Sequence, residues 1–292
     1  MDMFDSTTDL RSADPVRTRA LVLGGGGVTG VAWELGVLAG LSDRGVDFGT
    51  ADLIVGTSAG AVVGAQLWSG TPIAALYAAQ LEPPGAEIPA RLGSGWVARI
   101  AWSSVLSRSP ESFRRRVGRT ALALAEPTEA QRREVIAARL PSHEWPIGSL
   151  KITAVDAVSG EFVVFDRDTK VSLVDAVGAS CAVPGVWPPV TIGGRRYMDG
   201  GMRSSTNADL AVGFGRIAVI APITRGGGHI GRVTEEMRIV GQMGRPWLIS
   251  PDAAAKAAIG GNVLDPARRA GAAQAGRAQG RDLAEQAAQF WK

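Results

Sequence analysis

The residues Gly56-Thr57-Ser58-Ala59-Gly60 match G-x-S-x-G, the pattern of a nucleophile elbow. They follow the apolar run Leu53-Ile54-Val55 and precede the apolar segment 61–65, as a strand, a sharp turn and a helix require. Such a turn holds its serine in a strained conformation with the hydroxyl exposed. Gly56 and Gly60 leave room for the helix to pack on the strand, where a Cβ atom would collide. The pattern predicts that Ser58 is the nucleophile of a hydrolase.

A second glycine-rich segment, Gly25-Gly26-Gly27-Val28-Thr29-Gly30, follows the apolar strand predicted at 20–23 and opens a helix. Backbone N–H groups converge at a helix N-terminus, and a nucleophilic serine needs donors for the oxyanion that forms on attack. We expect these donors to be Gly25, Gly26, Gly27 and Val28. The segment also fits the dinucleotide pattern G-x-G-x-x-G, but the next strand ends in Gly56-Thr57-Ser58 without the acidic residue that holds a ribose. A dinucleotide-binding reductase is therefore disfavoured.

The serine also needs a base that accepts its proton, and imidazole is the usual one. His143 lies in the proline-bracketed segment 141–146, which is typical of an exposed loop. His229 lies in the glycine-rich segment 226–231, late in the chain, where an α/β-hydrolase with the order Ser-Asp-His places its histidine. A Ser-Asp-His esterase that uses His229 therefore remains an alternative.

Asp199 is the stronger candidate for the base. It ends the segment Tyr197-Met198-Asp199, and Gly200 and Gly201 after it let another part of the chain approach the carboxylate closely. Asp-Gly is also a common signal for a type I′ hairpin turn, and the motif taken alone favours that turn.

In order and type, the glycine loop, the G-T-S-A-G elbow and the later D-G-G resemble the patatin-like phospholipases. Segment 179–190, Ala-Ser-Cys-Ala-Val-Pro-Gly-Val-Trp-Pro-Pro-Val, is also similar to that family, and the resemblance runs from about Ala20 to Asn207. It implies a Ser58–Asp199 dyad that needs no histidine, metal or cofactor. Ser58 would attack a lipid ester, Asp199 would accept its proton, and the glycine loop would hold the oxyanion. A water activated by Asp199 would then hydrolyse the acyl-enzyme.

Two positions depart from the family pattern. Patatins commonly have Arg or Lys where this chain has Thr29, so a cation near the oxyanion loop is absent or comes from elsewhere. The segment Asn207-Ala208-Asp209 lacks the proline of the family's Asn-x-Pro. Neither departure changes the nucleophile or the base, and both bear on rate and substrate range. A patatin-like protein with a regulatory or binding role and negligible turnover is a separate alternative.

The chain has 292 residues, of which 46% are hydrophobic and 20% charged, and its strand–loop–helix alternation predicts a three-layer α/β/α sandwich with a mostly parallel sheet. We expect a flexible tail at 1–17 and one hydrolase domain at 18–292. Within that domain, 83–149 would be a lid-like insertion and 265–292 a C-terminal helix. A hairpin around Ser159-Gly160 and a helix at 171–182 are also expected.

Residues 91–119 carry seven arginines against one glutamate, a local net charge of +6. With Trp96, Trp102 and Phe113 among them, they predict either peripheral contact with an anionic membrane or an ordinary helix pair with buried aromatics. The arginines are few and no recognition motif accompanies them, which disfavours nucleic acid.

The polar, acidic start of the chain lacks the pattern of a signal peptide, so the predicted location is cytoplasmic.

An aspartate base further predicts activity below the pH of about 6.5 at which imidazole is protonated.

Overall fold

The computed structural model describes residues 18–85, 89–91, 94–124 and 127–292, together with the side chains of these residues except Ser94 and Trp96. The tail predicted at 1–17 lies outside the described residues. Within them, the family-like segments and the C-terminal helix pack around a single central sheet.

The central sheet has the strand order β5-β6-β3-β2-β1-β7-β8, with β4 paired to β3. β1, β2, β3, β7 and β8 are mutually parallel, whereas β4 and β6 run antiparallel to β3, and β5 antiparallel to β6. The strands are β1 Arg19–Leu23, β2 Leu53–Gly56, β3 Ser149–Asp156, β4 Phe162–Phe165, β5 Val190–Ile192, β6 Arg195–Asp199, β7 Arg216–Ile220 and β8 Arg245–Ile249.

Helices cover both faces of this sheet. They are α1 Gly27–Ser42, α2 Ala59–Leu67, α3 Ile73–Leu81, α4 Ser94–Val105, α5 Pro110–Leu122, α6 Glu129–Arg139, α7 Leu173–Ser180, α8 Val233–Val240, α9 Ala253–Ile259 and α10 Arg269–Trp291. Successive strand residues point to opposite faces. Leu21 and Ile54 accordingly join a core with α1, α2, α7 and α10, while Val22 and Val55 join a second core with α8. This arrangement is the expected α/β/α sandwich with a mostly parallel sheet.

The C-terminal helix α10 packs closely along α1, because glycines on both helices remove the side chains that would separate them. A Cβ atom at Gly36 would overlap the backbone of Ala273, and one at Gly276 would overlap the carbonyl oxygen of Trp33. Trp33 also donates a hydrogen bond from Nε1 to Gln279 Oε1 on α10, at 3.1 Å. This packing fixes the helix that carries the glycine loop at its N-terminus.

Several local predictions agree with the structure. The hairpin around Ser159-Gly160 forms as β3 and β4, and the predicted helix at 171–182 forms as α7. The type I′ hairpin at Asp199-Gly200 is wrong: β6 ends at Asp199 and a 3-10 turn, Gly200–Met202, follows it. Here Gly200 serves close approach, because a Cβ atom at this position would overlap Thr153 of β3.

Residues 91–119 include α4 and α5, and their aromatic side chains differ in exposure. Phe113 is fully buried in a core with Val155 and Met198, as expected for a helix pair with buried aromatics. Trp102 is 65% exposed. The side chain of Trp96 lies outside the described ones.

Candidate active site

Ser58 lies in the turn between β2 and α2, in the strained conformation that its motif predicts. Its φ of 53° and ψ of −112° place a non-glycine residue at positive φ, where backbone strain is stored. A Cβ atom at Gly60 would overlap the Leu23 carbonyl oxygen of β1, so glycine there lets α2 approach the sheet. The Ser58 N–H donates to Ser180 Oγ at 2.9 Å, and the Cys181 thiol donates to the Ser58 carbonyl at 3.3 Å. The buried Cys181 thus supports the elbow.

Asp199 reaches Ser58 from the end of β6. The β6–β3 pairing and a hydrogen bond from the Asp199 N–H to the Ala182 carbonyl (3.0 Å) fix its backbone. Its carboxylate accepts the Gly201 N–H at 2.7 Å and lines the same cavity as Ser58. The structure thus brings together the two residues predicted as nucleophile and base.

Burial raises the pKa of Asp199 from 3.8 to about 6, because desolvation disfavours the charged carboxylate. The hydrogen bonds from Ser58 and Gly201 oppose this shift, since they favour the ionised form. A pKa near 6 makes this carboxylate a stronger base than a free aspartate, while it remains ionised near neutral pH.

The glycine loop joins β1 to α1 beside Ser58. The Gly25 N–H donates to the Ser205 carbonyl at 2.7 Å, so the expectation that Gly25 is an oxyanion donor is corrected: this group already holds the loop in place. Gly26, Gly27 and Val28 occupy the N-cap and first turn of α1, where N–H groups have no acceptor within the helix. Thr29 binds the Val263 carbonyl through its N–H (3.1 Å) and its hydroxyl (3.2 Å), and Gly30 continues α1.

A buried polar network connects the elbow with the turn after Asp199. Asn207 Nδ2 lies within hydrogen-bond distance of Thr57 Oγ1 (3.0 Å), Thr153 Oγ1 (3.3 Å) and the carbonyl oxygens of Ser204 (2.9 Å) and Gly200 (3.4 Å). The sequence reasoning missed this role, although it noted Asn207 for the missing proline beside it. The αL conformation of Asn207, with φ of 51°, is one that asparagine tolerates better than most residues.

Both histidines form hydrogen bonds with backbone carbonyls away from Ser58. His143 is exposed and its Nε2 contacts the Ala137 carbonyl at 3.0 Å. His229 Nε2 contacts the Ser107 carbonyl at 2.9 Å, and its ring centroid lies 5.8 Å from that of Phe113. Among the described residues that line the cavity at Ser58, neither histidine occurs.

A cavity of about 340 Å³ opens at Ser58 and Asp199. Its wall is largely apolar, and its apolar side chains are those of Ile100, Val183, Met202, Ile223, Ile230, Val263 and Leu264. We call it the apolar cavity. Its size and lining fit a hydrocarbon chain whose reacting end lies against the serine.

The described residues contain no group of three or more His, Cys, Asp or Glu side chains placed to hold a metal ion. In the same part of the chain, no helix has the length and apolar character needed to span a bilayer.

Known proteins match the chain in sequence and in fold. Solved structures similar to it include VipD from Legionella pneumophila, with 14% identity, a TM-score of 0.47 and coverage of 94% of this chain and 68% of that one. The type III effector ExoU has 15% identity and a TM-score of 0.41, and the match covers 94% of this chain and 54% of ExoU. No protein with a curated description matches significantly. The model of the patatin-like phospholipases matches residues 21–212, more than half of the sequence, and the chain therefore belongs to this family.

Proposed function

We propose that the chain is a lipid acyl hydrolase that uses Ser58 as nucleophile and Asp199 as general base. The observation that carries this proposal is that Ser58 and the buried carboxylate of Asp199 line the same apolar cavity beside the glycine loop. The family match supports a lipid ester as substrate. The engagement of His229 with Ser107 favours the dyad over the Ser-Asp-His alternative.

In the first step, Ser58 Oγ attacks the ester carbonyl carbon and its proton passes to Asp199. The oxyanion accepts hydrogen bonds from the N–H groups of Gly26, Gly27 and Val28, with the positive end of the α1 dipole behind them. Collapse of this intermediate breaks the bond to the alcohol, which leaves with the proton from Asp199.

In the second step, Asp199 takes a proton from a water molecule, and the hydroxide attacks the acyl-enzyme carbonyl. The same N–H groups hold the second oxyanion. Collapse then breaks the bond to Ser58 Oγ, which recovers its proton from Asp199 and releases the carboxylic acid. Each group returns to its starting protonation state, and the described residues supply all of the acid–base chemistry.

We also propose that α4 brings the apolar cavity to a lipid surface. Val97, Trp102 and Val105 are exposed on this helix, while Ile100 of the same helix lines the cavity. Exposed apolar side chains beside a substrate entrance fit an interfacial role. Within segment 91–119, α4 is therefore the part that we propose contacts the membrane. The proposed location is cytoplasmic with peripheral membrane contact.

Liposome sedimentation tests this contact. Trp102→Ala should weaken binding to anionic vesicles, and added salt should weaken it further if Arg99 and Arg108 contribute. Charge reversal at 114–116 is a poor test, because Arg114 donates to the Gly160 carbonyl at 2.6 Å and Arg116 to the Leu106 carbonyl at 3.3 Å. Equal binding of wild type and Trp102→Ala would contradict the contact.

Hydrolysis of a panel of p-nitrophenyl esters and phospholipids tests the enzymatic function. Wild type should release acid, and Ser58→Ala should lose at least about a thousandfold in kcat with its fold intact. A fluorophosphonate should label Ser58 in wild type, since only an activated serine reacts. Absence of both labelling and hydrolysis would support the regulatory alternative instead.

A further inference from the structure

Residues 204–208 connect the glycine loop with the nucleophile elbow, and we call them the bridging segment. The Ser205 carbonyl accepts the Gly25 N–H at 2.7 Å. The Thr206 carbonyl accepts a hydrogen bond from the Thr57 hydroxyl at 3.3 Å. The segment also contains the asparagine of the buried polar network, which reaches the turn after the base. A shift of this segment would therefore change how the glycine loop, the elbow and the base lie relative to one another.

Glu236 of α8 contacts the bridging segment through a buried carboxylate. The residue is 6% exposed. Its Oε2 accepts hydrogen bonds from the Thr206 hydroxyl and from the Ala208 N–H, the latter at 3.1 Å. These two donors lie on either side of Asn207, whose side chain contacts the elbow. One carboxylate oxygen therefore holds the segment on both sides of that contact.

The start of α8 is joined to the same segment. The Gly231 N–H donates to the Arg203 carbonyl at 2.8 Å, and Gly231 pairs with Ser204 in a parallel bridge. A Cβ atom on Gly231 would lie 3.2 Å from Ser204 Cβ and 3.5 Å from Glu236 Oε1, so the three residues approach closely. Helix α8 and the residues before it therefore hold the bridging segment at its beginning as well as at 206–208.

A carboxylate is an unfavourable choice for this position if only stability matters. Helix α8 packs through Val240 on the core that contains Val22 and Val55, and a carboxylate buried beside such a core is costly unless donors compensate it. Replacement of both partners of a buried hydrogen bond by apolar groups of the same shape is often nearly neutral. Hydrogen bonds, however, depend on distance and direction. The pair of Glu236 and Thr206 therefore favours one defined position of the bridging segment.

We propose that Glu236 is a positioning residue for the reaction at Ser58, because it sets the place of the bridging segment and thereby of the glycine loop. This inference rests on the proposed hydrolysis. Glu236 is not among the described residues that line the apolar cavity, so it acts through the segment. If the segment shifts, the Gly25 N–H loses its acceptor and the N–H groups that follow it move away from the oxyanion. Misplacement of such donors is costly to the reaction.

The test measures kcat and KM for a short p-nitrophenyl ester. Glu236→Ala should lower kcat about tenfold or more, with KM within about threefold of wild type, because the lining of the apolar cavity is unchanged. Glu236→Gln should retain kcat within about threefold, since its amide oxygen can accept both hydrogen bonds. A kcat of Glu236→Gln as low as that of Glu236→Ala, or a kcat of Glu236→Ala equal to that of wild type, would overturn the proposal.

Two control variants separate positioning from stability. Glu235→Ala removes the neighbouring carboxylate, which is exposed and pairs with Arg238 at 2.7 Å, and it should leave kcat unchanged. Val240→Ala removes apolar packing of α8 and should lower the melting temperature. It keeps both hydrogen bonds of Glu236, so its kcat well below the melting temperature should be that of wild type. If Val240→Ala lowers kcat as much as Glu236→Ala does, the effect is one of stability and the proposal is wrong.

Thr206→Val tests the same contact from the bridging segment, and it carries the test if Glu236→Ala does not fold. The change removes the hydroxyl that donates to Glu236 and keeps the carbonyl that binds Thr57. Its kcat should fall about three- to tenfold, because the Ala208 N–H still holds the carboxylate. A folded Thr206→Val with the kcat of wild type would contradict the positioning role.

Hydrogen exchange separates failure of this inference from failure of the proposed hydrolysis. In the latter case wild type hydrolyses the ester no faster than Ser58→Ala. The exchange rate of the Gly25 amide, measured by NMR, does not depend on turnover, and the bond to the Ser205 carbonyl protects this amide. Glu236→Ala should raise the rate about tenfold or more above that of Val240→Ala with a similar melting temperature. Equal rates in wild type and Glu236→Ala overturn the proposal.

Discussion

Asn207 Nδ2 lies 3.0 Å from Thr57 Oγ1. This hydrogen bond connects the residue before Ser58 with the segment that follows Asp199. Asn207 also contacts the Gly200 carbonyl, directly after Asp199. Ser58 and Asp199 come from different strands, so their separation depends on contacts of this kind. We therefore expect Asn207 to position the pair.

Replacement of Asn207 by glycine should lower kcat about ten- to a hundredfold, because misplacement of reacting groups is costly. Glycine suits the αL backbone of this position, so the change removes the side chain without adding strain. The free energy of unfolding should fall by about 1–3 kcal/mol as buried partners lose their hydrogen bonds. Kinetics and urea denaturation measure the two effects, and a kcat equal to that of wild type would contradict the positioning role.

Asp199→Asn should abolish activity and stabilise the fold at neutral pH. The raised pKa means that the folded state keeps a proton that the unfolded chain loses above about pH 4. The free energy of unfolding therefore decreases as pH rises from 3.8 to about 6, by about 3 kcal/mol in total.

Asparagine avoids this penalty, so the variant should exceed wild type in stability at about pH 8 and lose that advantage at about pH 4. Chemical denaturation at the two pH values measures the difference. A difference that is the same at both would show that Asp199 titrates normally.

The pH profile of kcat/KM on a neutral ester should rise with a midpoint near 6, the pKa of Asp199, and stay level above it. This limb lies close to the ordinary imidazole pKa of about 6.5. Because the pH profile alone does not separate the dyad from a histidine base, variants must do so.

The double variant His143→Ala and His229→Gln should retain kcat within about threefold of wild type. Glutamine at 229 is chosen because its amide still donates to the Ser107 carbonyl, which His229 contacts at 2.9 Å. Ester hydrolysis by the purified variant, beside its melting temperature, is the measurement. Loss of hydrolysis in a folded double variant would assign the base to a histidine.

Two glycines of α10 provide a matched test of its packing on α1. Gly276→Ala should destabilise the protein by about 2 kcal/mol or more, because its Cβ atom would overlap the Trp33 carbonyl oxygen. Gly271→Ala, with open space around its Cβ position, should stabilise it by about 0.5–1 kcal/mol through helix propensity. Thermal denaturation compares them, and equal effects would contradict the close helix contact.

Local sequence patterns anticipated the parts of the fold that short-range chemistry determines. The G-x-S-x-G segment indicated the strained backbone of Ser58, and apolar runs with glycine breaks indicated β1, β2 and α1. The two glycines after Asp199 indicated that another segment could approach it. Its pairing with Ser58 was inferred from the family resemblance, since the motif taken alone favoured a hairpin turn.

Long-range contacts remained beyond the sequence. The residues around Gly25 do not indicate that the Ser205 carbonyl accepts the Gly25 N–H. The residues around Asn207 likewise do not indicate the contact with Thr57, which lies 150 positions away. The edge strand β8 was also missed, because five residues interrupted by Pro246 give a weak strand pattern.

The bond from the Thr29 hydroxyl to the Val263 carbonyl spans 234 residues and connects the glycine loop to a part of the chain beyond the family match. The N-terminus of α1, where the proposed oxyanion donors lie, is therefore held by residues that are synthesised more than two hundred positions later. A chain that ended at the family match would lack this support for the proposed oxyanion site.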